Sequence, residues 1–298
     1  MTMPNGPIFH DLSHPITPDG PCTFVPNEHK PWATFEEGES HGFFFITSCL
    51  HNLPSNLSTH MDLPGHIVLG GQEPPMVGEQ PLSSFSGRVI VLDVRDKLAE
   101  IGGYFDASGF CHLKPEDADS WNAFLKDCRS LEIDKDELIR RIDELNPTHE
   151  FDGVLFYCGN AGFWRPGHRS LATEYIYFYN VFLSDRAAQW LLRQGLRFVG
   201  IDSFQLEDPI INFRGDEAFA VRDEALRGYV KKRLSERELY SNHRTFLSAG
   251  VPIYENLNLG AEVAGKMGWF FGAPLNIRIP GVVDNALCRP VFLERLTE

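Results

Sequence analysis

No apolar run in this 298-residue chain reaches the roughly 20 residues that a membrane-spanning helix needs, so no membrane partner is expected. Positive charge is scarce as well. Lys and Arg number 27 against 41 Asp and Glu, a formal net charge of -14. That balance excludes a nucleic-acid surface, which needs clustered cations. The one basic run, Lys231-Lys232-Arg233, sits among Asp223, Glu224, Glu236 and Glu238 and reads as a solvated helix face. The six cysteines (Cys22, Cys49, Cys111, Cys128, Cys158 and Cys288) are scattered with no C-x-x-C pair, so they read as reduced and mostly buried. There is no phosphate loop and no G-x-S-x-G elbow, and Gly159-Asn160-Ala161-Gly162 is not a dinucleotide fingerprint. The segment Met1-Thr2-Met3-Pro4-Asn5-Gly6 lacks the basic start and apolar stretch of a secretory signal, which makes a cytoplasmic location the expectation.

What is present is the composition of an ordinary globular protein. Of the residues, 43% are hydrophobic and 12% aromatic, enough to fill a sizeable core. Repeats, low-complexity tracts and linker-like stretches are missing, and a single domain over 1–298 is the simplest account. Arg88 to Val94, Gly153 to Cys158 and Arg197 to Asp202 are short, continuous and apolar, the pattern of strands buried on both faces. Between the last two, Ser184 to Gln194 carries a serine cap, Ala187/Ala188/Leu191/Leu192 spacing and a following Gly195, a helix with both its start and its stop. Strand, helix, strand in that order indicates an α/β fold. Pro115 to Asn146 and Asp216 to Leu239 are also helical in pattern. Gly42 to Thr47, Val251 to Glu255 and Leu275 to Ile279 read as further strands.

One cluster carries chemistry. His60 and Asp62 lie two residues apart, so in an extended segment both side chains leave the same face. His66 follows after Pro64-Gly65 bends the chain. Two imidazoles and a carboxylate within seven residues suit Zn²⁺ or Mn²⁺. Such clusters also arise as hydrogen-bonded surface turns, and spacing alone leaves both readings open.

Ser58-Thr59-His60-Met61-Asp62-Leu63-Pro64-Gly65-His66 closely resembles the signature of the cyclase-like hydrolases, H-x-G-T-H-x-D-x-P-x-H, a family that includes bacterial kynurenine formamidases and isatin hydrolases. The likeness continues through Gly195 to Ser203, which resembles the family's strand ending in V-G-I-D. It extends through His243-Arg244-Thr245-Phe246-Leu247 with Gly250 to Leu257, and through Phe271 to Ile277. The resemblance implies the family's swivelling β/β/α fold, here one domain with extra helical insertions at Pro115–Asn146 and Asp216–Leu239. It also implies a homodimer acting on a small molecule.

Carried over position by position, the family's roles make His60, Asp62, His243 and Glu255 metal ligands and His66 the acid or base beside the metal. Its first histidine falls on Asn56 and its glycine on Ser58. Either Asn56 binds through oxygen, or that metal site is weak or empty, or His51 substitutes. The count of ions, one or two, therefore stays open, with Zn²⁺ the first expectation and Mn²⁺ the second. The aromatic residues of the N-terminal region read mostly as core or dimer-interface residues, but the resemblance also makes Phe24, Trp32 and Phe44 candidates for the substrate pocket, with Trp164 and Asn160 weaker ones. The implied reaction is hydrolysis of a cyclic amide, a lactone or an aryl formamide by metal-activated water. A binding module that has lost hydrolysis and a metal-dependent lyase or cyclase are the alternatives.

Overall fold

The structure, a computed structural model, describes residues 7–16, 33–40, 43–50, 58–67, 74–102, 104–105, 107, 111–112, 128–160, 180–209, 232, 235, 240–279 and 283–294; at 33–40, 43–50, 104–105, 111–112 and 128–129 only the backbone is described. In chain order the strands are β1 (Ile8–Asp11), β2 (Ala33–Ser40), β3 (Phe43–Leu50), β4 (His60–Asp62), β5 (Ser86–Asp93), β6 (Tyr104–Phe105), β7 (Cys111–His112) and β8 (Glu132–Ile133). They continue as β9 (Gly153–Tyr157), β10 (Phe182–Leu183), β11 (Phe198–Ile201), β12 (Ile253–Glu255), β13 (Met267–Phe271), β14 (Asn285–Leu287) and β15 (Val291–Glu294). The α-helices bounded within the described residues are α1 (Arg95–Glu100), α2 (Lys135–Leu145), α3 (Asp185–Arg193) and α4 (Ser241–Ser248).

Nine strands form one sheet in the order β1-β15-β13-β5-β9-β11-β12-β4-β14. Its centre, β5-β9-β11-β12, is parallel, and both flanks are antiparallel. The middles of the central strands are apolar because each face has a core of its own. Ile90, Leu92, Val154, Phe156, Val199, Ile201 and Ile253 point to the side of α2, α3 and α4. Their neighbours Val89, Val91, Leu155, Tyr157, Phe198 and Tyr254 join a second core with Leu12, Met61, Phe270 and Phe292. This is the period-2 alternation of a strand, with both faces buried. Gly153 is required by packing: a Cβ there would lie 2.0 Å from the Phe198 ring, which itself stacks on Phe270 at 4.6 Å.

The helix expected at Ser184–Gln194 is α3. Ser184 Oγ accepts the Ala187 N–H at 3.2 Å, and Gly195 ends the helix at φ +80°. The expectation of a helix across Pro115–Asn146 is corrected in its latter part. Glu132–Ile133 is a strand paired with β10, and Asp134 then caps α2, accepting the Asp136 and Glu137 N–H groups at 2.9 Å each. A side chain that takes those two amides starts a helix and does not continue one. The rest of that expectation, and the helix read at Asp216–Leu239, fall outside the described residues, apart from helical Lys232 and Ser235. Leu275–Ile279 is not a strand. After the bridge of Pro274 to Cys288 the chain leaves the sheet, Leu275 is 72% exposed, and the Ile277 carbonyl bonds the Gly78 N–H instead of a ladder. No helix among the described residues is long and apolar enough to cross a membrane.

The ends of β9 and β11 are tied by Asp202. Its carboxylate accepts the N–H groups of Cys158 (2.7 Å), Gly159 (2.8 Å) and Asn160 (3.0 Å). Burial pushes its pKa up, those three bonds pull it down, and it stands at about 7.

Candidate metal centre

β4 is a three-residue strand held between β12 and β14. Its register sets His60 opposite Glu255, so these two side chains and that of Asp62 share one face of the sheet. Helix α4 supplies His243 from its first turn. His60 Nε2 lies 3.5 Å from Asp62 Oδ1 and 3.7 Å from Glu255 Oε2. His243 Nε2 lies 3.2 Å from Asp62 Oδ2 and 3.3 Å from Glu255 Oε1. All four residues are at most 4% exposed. One ligand atom from each of His60, Asp62 and Glu255 can be chosen so that all lie within 4.8 Å of one another.

Both imidazoles present the nitrogen that a metal needs. His60 Nδ1–H donates to the Ser58 carbonyl at 2.8 Å, and His243 Nδ1–H donates to Glu207 Oε1 at 3.1 Å. Each bond fixes the tautomer and leaves Nε2 facing the carboxylates. Buried Asp62 Oδ1 and Glu255 Oε1 have no hydrogen-bond donor. Orphaned carboxylate oxygens beside two aimed imidazole nitrogens are the donor set of a divalent cation.

The electrostatics agree. Burial works against ionisation of Asp62, yet the hydrogen bond from His243 and the nearby imidazoles of His60 and His66 hold its carboxyl below the ordinary range. Glu255 goes the other way, raised by burial and by the charge of Asp62. His243 would be lowered by burial, but hydrogen bonds to Asp62 and Glu207 and the nearby charge of Glu255 raise it well above its usual value.

His66 is placed differently. Pro64–His66 forms a single 3₁₀ turn after β4, with Pro64 where no N–H is needed. Gly65 there has no room for a side chain, since a Cβ would sit 2.3 Å from the Val283 carbonyl oxygen. The His66 side chain is 37% exposed and its Nε2 is 4.0 Å from Asp62 Oδ2, beside the cluster and not inside it.

Beneath the centre runs a hydrogen-bonded layer. Thr59 Oγ1 accepts the His14 N–H at 2.9 Å and donates to the Asn256 carbonyl at 2.7 Å, so the chain at His14 is tied to the residues before His60 and after Glu255. Asn256 takes a left-handed conformation, φ 54°, which asparagine tolerates. Burial lowers the His14 pKa to about 3, against a hydrogen bond to the Leu257 backbone that raises it. The unfolded chain then binds a proton that the native state refuses between about pH 6.5 and 3. Stability must therefore fall as pH drops through that window, by up to ~1.4 kcal/mol per pH unit. Urea titrations at pH 7, 6, 5 and 4 should show this loss, with a shallower dependence in His14→Gln. Parallel curves for the two proteins would remove His14 as the cause.

Of the residues expected from sequence, the structure brings together His60, Asp62, His243 and Glu255 and sets His66 beside them. Asn56, Phe24, Trp32 and Trp164 lie outside the described residues, and Phe44 is described by its backbone alone, in β3 opposite Glu39. Asn160 is fully buried, its side chain bonded to Ser203 Oγ at 3.0 Å and its backbone N–H to Asp202. Glu207, fully buried against His243, was not anticipated. No metal signature includes it, and the only hint in sequence is an acidic pair, Glu207-Asp208, just beyond an apolar strand.

A mixed parallel and antiparallel sheet holding a buried His/Asp/His/Glu cluster defines an α/β protein with a metal-type centre. The chain belongs to the Cyclase family, whose model matches residues 10–208. No curated protein matches it. Among solved structures, an isatin hydrolase bound to the product analogue thioisatinate superposes with a TM-score of 0.60 at 12% identity, covering 96% of this chain and 91% of the other. Isatin hydrolase A from Labrenzia aggregata, bound to benzyl benzoate, gives 0.57 at 17% identity, covering 97% and 94%. A protein from Bacillus stearothermophilus described as a predicted metal-dependent hydrolase gives 0.51 at 20%, covering 97% and 100%. At these identities the likeness is one of fold.

Proposed function

We propose that this chain is a metal-dependent hydrolase that uses water to open a small cyclic amide or lactone, or to cleave an aryl formamide. The observation that carries the reading is the convergence of His60 Nε2, His243 Nε2 and the carboxylates of Asp62 and Glu255 in one buried cluster, with Asp62 Oδ1 lacking any hydrogen-bond donor. These four residues would hold the ion, Zn²⁺ first and Mn²⁺ second on donor type. A divalent cation there supplies Lewis acidity and makes water a nucleophile at neutral pH. The isatin hydrolases among the similar folds favour hydrolysis as the reaction class.

The remaining work falls to this chain's own groups. His66, partly exposed beside the cluster, takes the proton from the attacking water and returns it to the leaving nitrogen or oxygen. The hydrogen bonds to Ser58 and Glu207 keep the two ligand rings from turning, so no ordering is needed at the moment of reaction. Phe24, Trp32, Phe44 and Trp164 are proposed to supply apolar walls for a flat substrate.

The test pairs elemental analysis of protein purified without chelator with mass spectrometry of products from a panel of cyclic amides, lactones and aryl formamides. Zinc or manganese at about one or two ions per chain, with a product heavier by one water, is the expected result. The family's name favours a second reading, a metal-dependent cyclase, and a product of unchanged mass would select it. A chain that takes up neither metal after reconstitution sinks both and leaves a binding module.

A further inference from the structure

We infer that Glu207 is a positioning residue that sets the metal affinity of the centre through His243, an inference that rests on the metal reading above. Helix α4 begins without a side-chain cap of its own, because the residue at its N-cap is Tyr240, in a left-handed conformation. Glu207, from the segment after β11, fills that role from a distance. Its Oε1 accepts the backbone N–H of His243 at 2.7 Å and the Nδ1–H of the same residue at 3.1 Å.

One oxygen thus holds both the main chain and the ring of a single ligand, fixing where His243 sits and which way its Nε2 points. Glu207 is itself well anchored: it is fully buried, and its carbonyl accepts from Asn180 Nδ2. Among the described residues its Oε2 has no hydrogen-bond partner, and both bonds of its Oε1 go to His243. The Tyr240 ring packs against His243 in a T-shaped pair at 5.8 Å between centroids. A carboxylate on the far nitrogen of a ligand histidine fixes its tautomer and raises its basicity, and loss of such a partner costs about 10–100-fold in metal affinity.

A merely structural cap would act on α4 whether or not His243 is present. A positioning residue acts only through that ring, and a double-mutant cycle separates the two. Zinc affinity of the metal-stripped full chain is measured by competition with a chromophoric chelator for wild type, Glu207→Leu, Glu207→Gln, His243→Ala and the two double variants. Glu207→Leu should weaken zinc binding by about 10–100-fold. Glu207→Gln, which keeps an acceptor oxygen, should recover part of that loss. In the His243→Ala background either change should alter affinity by less than about two-fold. Should the Leu variant fail to fold, the Gln variant carries the same comparison. Equal losses in both backgrounds, or none in the wild-type background, overturn the inference while leaving the metal reading intact. A wild-type chain that binds no zinc overturns the metal reading and this inference with it.

Discussion

Asp62→Asn should yield a folded protein that no longer takes up zinc or manganese and no longer turns over substrate. Asp62 sits between both imidazoles, with Oδ1 3.5 Å from His60 Nε2 and Oδ2 3.2 Å from His243 Nε2. No other carboxylate among the described residues reaches both rings more closely, since Glu255 lies 3.7 Å and 3.3 Å away. The fold should survive, because Oδ1 has no hydrogen-bond donor to lose and removing one buried negative charge relieves the repulsion that raises Glu255. The signature is in thermal unfolding. A ligand present at 100 times its dissociation constant stabilises the native state by about 2.7 kcal/mol. For a chain of this size that is a rise of several degrees in Tm. Wild-type protein should show this rise on adding zinc or manganese and lose it with a chelator, and Asp62→Asn should show neither response. An Asp62→Asn protein that still gains the full shift would take Asp62 out of the ligand set.

His66→Ala should do the reverse: keep the metal and lose the chemistry. Turnover is expected to fall by about 10²–10⁴-fold, the range for removing a positioned acid–base group. In barrier terms that is ~3–5 kcal/mol. Metal content and the metal-induced rise in Tm should match those of wild type, because His66 stands 4.0 Å from the nearest carboxylate oxygen of the cluster and is the one histidine of the group open to solvent. The loss should appear in kcat more than in KM, since a proton shuttle acts in the transition state. A variant that loses its metal would make His66 a ligand. One that keeps both metal and full turnover would leave the proton transfer without an owner.

The ligand types were legible in the chain because they lie in two short segments. His60, Asp62 and His66 fall within seven residues, and His243 and Glu255 are twelve apart. Three of the four central strands were legible for a similar local reason, since a run such as Val89-Ile90-Val91-Leu92 has no polar face to offer water. Helix α3 carried its own start and stop. Where local reading failed, a long-range contact had decided the outcome: Glu132–Ile133 became a strand by pairing with β10, and Leu275–Ile279 left the sheet after Pro274.

The sequence by itself determined which side chains could bind a cation and that His60 and Asp62 would share a face, because alternation along an extended chain is a property of a few neighbouring residues. It determined also that the central strands would be buried on both sides. Only the tertiary structure decided that Glu255 would stand opposite His60, through an antiparallel register between segments almost 200 residues apart. It alone brought His243 over that face on α4 and set Glu207 behind its ring. Those choices depend on how the sheet closes and how the helix packs on it. The energy that fixes them comes from two cores spread over the whole chain, and no short stretch of residues contains it.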